Sequence, residues 1–201
     1  MASKKTMKKY FVGDSQTARL LSVEEFGVNI VGWSYPGKTV QEIFNGVYER
    51  VVKGGEKTEK ENSVGIMWVG TNNFLKDKGE PREEFKRFLK FLRKLFRYIL
   101  LVQLPPVPKL GSVNWKIKEF NQIVRSYAKD DETSIINCHD LFIVNGEIVR
   151  GDFHEVMGHN VHMNQSGLAK VAGLLRSKLM NLGIDSQTLH DFSPDTQLLT
   201  A

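Results

Sequence analysis

Short apolar runs alternate along this chain with stretches that carry helical spacing, and few folds accept that order. Strands read at residues 9–12, 28–33, 64–69, 98–104 and 134–137, and helices at 16–26, 40–52, 81–97, 113–128 and 165–182. The strand runs are mostly continuous in apolar character, as a sheet covered on both faces requires. Strands joined through helices in this way lie parallel. The expected fold class is therefore α/β: a three-layer α/β/α sandwich with a parallel sheet of about five strands, flavodoxin-like in arrangement. Pro81 suits the first turn of its helix and Asn164 suits an N-cap. A small hairpin is expected at 142–144 and 147–149, around Asn145-Gly146. One domain should occupy 1–184, with the Gly-rich, charged stretch 53–62 as a solvated loop and the polar stretch 185–201 as a flexible tail.

Composition narrows the setting. With 41% hydrophobic and 25% charged residues, the 201-residue chain has the balance of a soluble globular protein. No apolar run approaches the roughly 20 residues needed to span a bilayer, and the basic start MASKKTMKK leads into a strand without a signal-peptide stretch. The single cysteine, Cys138, excludes an internal disulfide and points to a reducing, intracellular and cytoplasmic setting. Cys138 itself reads as a small buried residue at a strand end. Trp33, Trp68 and Trp115 read as core or site-edge residues. A net charge of +5 is compatible with an anionic partner.

Helix 81–97 sharpens that point. Phe85, Phe88, Leu89, Leu92, Leu95 and Phe96 share one face, and Lys86, Arg87, Lys90, Arg93, Lys94 and Arg97 fill the other. The plain expectation is a covering helix with a solvated basic face. The sharper one is a surface for RNA phosphate or an anionic membrane, favoured by Phe91, which widens the apolar side.

Four separated segments carry the chemistry: Gly13-Asp14-Ser15 after the first strand, Gly37 in SYPGKT after the second, GTNN (70–73) after the third, and His162 before the last helix. Loops beyond the C-terminal strand ends of an open α/β sheet converge on one crevice. A serine at a strand-to-helix junction sits near free N–H groups and the positive end of the helix dipole. It needs a base to become a nucleophile, and a histidine serves near neutral pH. The backbone N–H groups of Ser15 and Gly37 and the side-chain amide of Asn72 would supply donors for the developing oxyanion. Residues His154, His159 and His162 also share one loop, a spacing that zinc accepts. No cysteine pair or further histidine completes a set, so no metal site is expected.

Gly-Asp-Ser, SYPGKT, GTNN and VHMNQSG, in that order, resemble the four blocks of the SGNH hydrolases, the GDSL lipase/esterase family, over about residues 9–182. More narrowly, GDSQTARL, WVGTNNF, QLPPVP and the stretch around WKIKEFNQIVRSY resemble the esterase domain in first-frame proteins of LINE-type retrotransposons. The resemblance implies hydrolysis of an acyl, acetyl or lipid ester through an acyl-serine intermediate. It assigns Ser15 and His162 to catalysis and Ser15, Gly37 and Asn72 to the oxyanion, with no cofactor. One position departs from the family: the acid expected three residues before the histidine is His159 here. The chain would then use a Ser–His dyad, or recruit another acceptor, with Asp152, Glu155 and His159 as the candidate third members. The remaining alternative is a weakened module that binds RNA or acidic membrane through its basic surfaces.

Overall fold

The computed structural model describes residues 7–24, 26–108, 110–154 and 162–184. Its centre is a parallel five-stranded sheet in the order β2-β1-β3-β4-β5, formed by β1 (Lys8–Gly13), β2 (Ile30–Ser34), β3 (Ser63–Trp68), β4 (Tyr98–Val102) and β5 (Thr133–Ile136). The helices are α1 (Ser15–Val23), α2 (Val40–Tyr48), α3 (Thr71–Leu75), α4 (Arg82–Leu95), α5 (Gly111–Ser126) and α6 (Gln165–Asn181). Helices α1 and α6 pack together on one face. On the other, α2 packs on α4, and Phe85 of α4 meets Phe120 of α5 edge-on. This is the expected three-layer sandwich.

Neighbouring residues of a strand point to opposite faces, and β1 shows it. Tyr10 packs against Trp33 and Phe96, whereas Phe11 packs against Phe26. Each fully buried side chain of this size contributes roughly 1.5–3 kcal/mol. Lys9, between charged and apolar neighbours, is also buried, and its Nζ donates to the carbonyls of Phe26 (2.9 Å) and Val28 (3.3 Å). The strand order reverses at β1, whose neighbours are β2 and β3. The C-terminal ends of these three strands therefore open on one crevice.

Several boundaries differ from the sequence expectation for local reasons. Helix α1 begins at Ser15 itself and stops at Val23. Strand β2 starts late because Val28 is 61% exposed and Asn29 adopts a left-handed φ of 63°. Helix α2 widens into a π-turn over Glu49–Lys53. Pro81 stands at the N-cap of α4 rather than in its first turn. Helix α3 has five residues, too few to reveal a period in the sequence. The hairpin forms as expected, β6 (Ile143–Val144) pairing with β7 (Glu147–Ile148), with positive φ at both Asn145 (51°) and Gly146 (82°) as its turn demands. Residues 185–201 lie outside the described part.

The amphipathic α4 covers the sheet with Phe85, Phe88, Leu89 and Leu92. Phe91 does not wait for a partner. It packs against Phe44 and Tyr48 of α2. On the basic face, Arg87 donates to Gln41 and Arg93 to Tyr127 O, Asp130 and Thr133. Lys86, Lys90 and Lys94 are exposed and have no partner among the described residues. Trp33 and Trp68 are core residues, but Trp115 is 54% exposed. No described helix is long and apolar enough to cross a membrane.

Candidate active site

The junction between β1 and α1 is the tightest point near the crevice. A Cβ on Gly13 would lie 2.0 Å from Thr17 Oγ1 and 2.4 Å from the carbonyl oxygen of Trp68. Only glycine lets the strand turn into the helix here without parting its neighbours. Asp14 follows in extended conformation (φ −96°, ψ −150°) and caps α1, its Oδ1 accepting from Gln16 N at 3.0 Å. Ser15 is thereby the first helical residue, its hydroxyl raised at the positive end of the helix.

The second wall is built by α3. Gly70, at the α3 N-cap, has φ 126°, a conformation that side chains avoid. Asn73 Oδ1 then accepts from Val40 N (3.0 Å) at the start of α2. Lys76 Nζ donates to Gly37 O (2.6 Å), and Asn72 Nδ2 donates to Lys38 O (3.2 Å), so α3 holds the Gly37 loop from two points. Asn72 Nδ2 also donates to Asp14 Oδ2 at 3.2 Å. The amide expected to be free is thus shared between a carboxylate and a carbonyl.

His162 arrives from the far end of the described chain. Phe153 and Met163 form an antiparallel bridge, and His154 N donates to His162 O at 3.0 Å. Asn164 caps α6 as expected, accepting from Gly167 N at 3.1 Å. These contacts hold His162 Nε2 3.1 Å from Ser15 Oγ. Burial lowers the His162 pKa below the ordinary 6.5, with the charges of Arg19 and His154 acting in the same direction. The ring is therefore largely neutral at pH 7 and able to accept a proton. Burial pushes the Asp14 carboxyl up to about 6, partly offset by the hydrogen bond from Gln16 N.

The third partner of the imidazole differs from expectation. Asp152 is buried close by in sequence to the bridge, but Oδ1 accepts from Ser166 Oγ (2.9 Å) and Oδ2 from Lys170 Nζ (2.5 Å). The first turns of α6 present both donors, so Asp152 anchors the helix rather than orienting His162. No described residue bonds His162 Nδ1. Glu155 and His159 lie outside the described residues. The cleft, about 440 Å³, is lined by Asp14, Ser15, Gly37, Asn72, Leu75 and His162 among others. The backbone N–H groups of Ser15 and Gly37 have no acceptor among the described residues.

No protein-family model and no curated protein matches the sequence. Solved structures do. A GDSL-like lipase from Bacteroides thetaiotaomicron aligns with a TM-score of 0.70 at 16% identity, over 90% of this chain and 91% of that one. The OSK domain of Drosophila Oskar aligns at 0.66 and 16% identity, over 84% and 86%. A catalytic mutant of an acetylxylan esterase from Geobacillus stearothermophilus aligns at 0.63 and 14% identity, over 92% and 98%. The chain has the SGNH-hydrolase fold that these structures share.

Proposed function

We propose that the chain hydrolyses carboxylic esters through an acyl-serine intermediate. The observation that carries this reading is the 3.1 Å contact between Ser15 Oγ and His162 Nε2 at the rim of the sheet. Nucleophile and base at that separation are within proton-transfer reach. The lipase and the acetylxylan esterase of the same fold add support.

The steps follow from the geometry. Nε2 takes the Ser15 proton as Oγ bonds to the ester carbon, and the carbonyl π pair moves onto oxygen. The N–H groups of Ser15 and Gly37 donate to that oxyanion, and Asn72 adds a third bond by exchanging one of its present acceptors. When the tetrahedral centre collapses, the carbon–alkoxy bond breaks and the imidazolium returns its proton to the leaving alkoxide. Water then repeats the sequence on the acyl-serine. With Asp152 committed to Lys170, Ser15 and His162 act as a dyad among the described residues. Losing the orienting carboxylate costs a serine protease roughly 10⁴-fold, so slow turnover is expected here too.

A fluorophosphonate probe tests this directly. Labelling should map to Ser15, and an unlabelled but folded protein would overturn the reading. The pH profile gives a second check. Neutral imidazole is the active form, and its pKa is lowered, so kcat/KM should rise with pH through a midpoint below 6.5 and then level off. Asp14 titrates nearby, at about 6, and an Asp14→Asn variant should keep the limb if His162 causes it. The second reading is a weakened module that binds RNA or acidic membrane through α4. It draws on the engagement of Asp152 and on the unpartnered Lys86, Lys90 and Lys94. Absent labelling with retained binding through those lysines would favour it.

A further inference from the structure

A second cleft, about 500 Å³, opens between α5 and the β6–β7 hairpin, beyond the C-terminal ends of β4 and β5. It shares no residue with the Ser15 cleft. Along its α5 wall stand Trp115, Lys118, Gln122 and Arg125, at helical spacings of three, seven and ten residues from the first. These positions form one stripe, about 15 Å long at 1.5 Å of rise per residue. All four are exposed. Lys118 and Gln122 have no partner among the described residues. Arg125 reaches Gln103 Oε1 and Asp140 Oδ2 only at 3.4 Å each, both from Nη2, which leaves Nε and Nη1 without a partner among the described residues. The facing wall carries His139, whose Nδ1 bonds Asp140 Oδ1 at 3.2 Å and whose ring is mostly buried.

The floor is fixed. Asn121 spends its amide on both backbone groups of Leu104, and Asn114 does the same for Val107. The cleft therefore combines a rigid base, a half-exposed indole, an unpaired lysine, an arginine shared with Asp140, the uncommitted Gln122 amide and the Nε2 acceptor of His139. We propose that it binds a nucleoside phosphate. The base stacks on the Trp115 indole, the phosphate meets Lys118 on the next turn, and Gln122 and His139 hydrogen-bond the base edge or ribose. Stacking on an exposed aromatic beside cations is how single strands are held without a sequence code. A neutral sugar would leave the Lys118 charge unused, and a lipid tail among Pro106, Ile143 and Ile148 would have to desolvate Lys118, Gln122 and Arg125. The one facing carboxylate, Asp140, is already balanced by Arg125 and by the bond from Asn137, so Lys118 sets a positive field.

The same chemistry is offered by a free nucleotide or by a single-stranded nucleic acid, and the experiment separates them. Trp33 and Trp68 are buried, so quenching of tryptophan fluorescence reports Trp115. Titration of the full chain with adenosine monophosphate and with a short oligoadenylate should give saturable quenching that weakens as salt rises. Full competition by the mononucleotide identifies the free ligand as sufficient. An oligoadenylate that binds without such competition identifies the strand. By anisotropy of a labelled oligoadenylate, Trp115→Leu and Lys118→Glu should each weaken binding by roughly tenfold, whereas Lys86→Glu on α4 should not. Ester turnover should persist in both cleft variants, which keeps this test separate from the Ser15 chemistry. No saturable quenching with either probe, or affinity unchanged by both cleft substitutions, would overturn the proposal.

Discussion

Replacing Ser15 with alanine should reduce hydrolysis of a short-chain aryl ester by on the order of 10⁴-fold or more, with stability unchanged to within about 0.5 kcal/mol. The large kinetic effect follows from position. Oγ is the only described hydroxyl within bonding distance of His162 Nε2. The small stability effect follows because the α1 cap belongs to Asp14, not to Ser15. His162→Ala should cost about as much, and the double variant little more than either alone, since residues that act as a unit lose their effect together. Steady-state kinetics on the three variants, with a denaturant titration of each, checks this. Activity in Ser15→Ala close to that of the parent would end the acyl-serine account, whatever the double variant did.

The second large effect should come from Gly13→Ala, with a stability loss of about 3 kcal/mol or more and loss of fluorophosphonate labelling. The added methyl meets two obstacles of different kinds. The Thr17 hydroxyl, at 2.0 Å, belongs to a side chain and can rotate away, but the Trp68 carbonyl, at 2.4 Å, is backbone of the paired strand. Gly13 and Trp68 are direct partners in the β1–β3 register, so relief requires the two strands to part where the nucleophile is mounted. Gly37→Ala is the informative contrast. Its φ of 73° strains any side chain, yet a methyl there meets nothing within 4 Å. That variant should lose roughly 1–2 kcal/mol and remain labelled. Denaturation midpoints and label yield for the pair distinguish crowding from backbone strain. Equal stability of Gly13→Ala and the parent would show that the junction yields more easily than its contacts imply.

The sheet and most of its helices were legible because burial on two faces leaves continuous apolar runs, as in Val64 to Val69, and because α4 and α5 keep one apolar side. Where short-range geometry decides, the sequence was silent. Helix α3 is a single turn or so, held by Asn73 and Lys76 contacts to another loop, and no periodicity announces it. Phe91 looked outward because its partners, Phe44 and Tyr48, are distant in the chain. The site was read in the same uneven way. Gly-Asp-Ser and a histidine ahead of a capped helix carry local signatures, and the structure sets Ser15 beside His162. The fate of Asp152 has no such signature. An aspartate ten residues before a histidine serves either, and only the approach of Ser166 and Lys170 from α6 decides. One signal was available and unused: Ser166 and Lys170 lie four apart, on one side of that helix.

The serine and the histidine that meet at the cleft are 147 positions apart. During synthesis the hydroxyl leaves the ribosome with the first strand, while its proton acceptor emerges only after every strand of the sheet. A nascent polypeptide halted before the last helix would carry a bare alcohol and no base, and would be inert toward esters. On the proposed mechanism, ester chemistry would thus depend on closure of the fold, and a product stalled or clipped before the last helix would lack it.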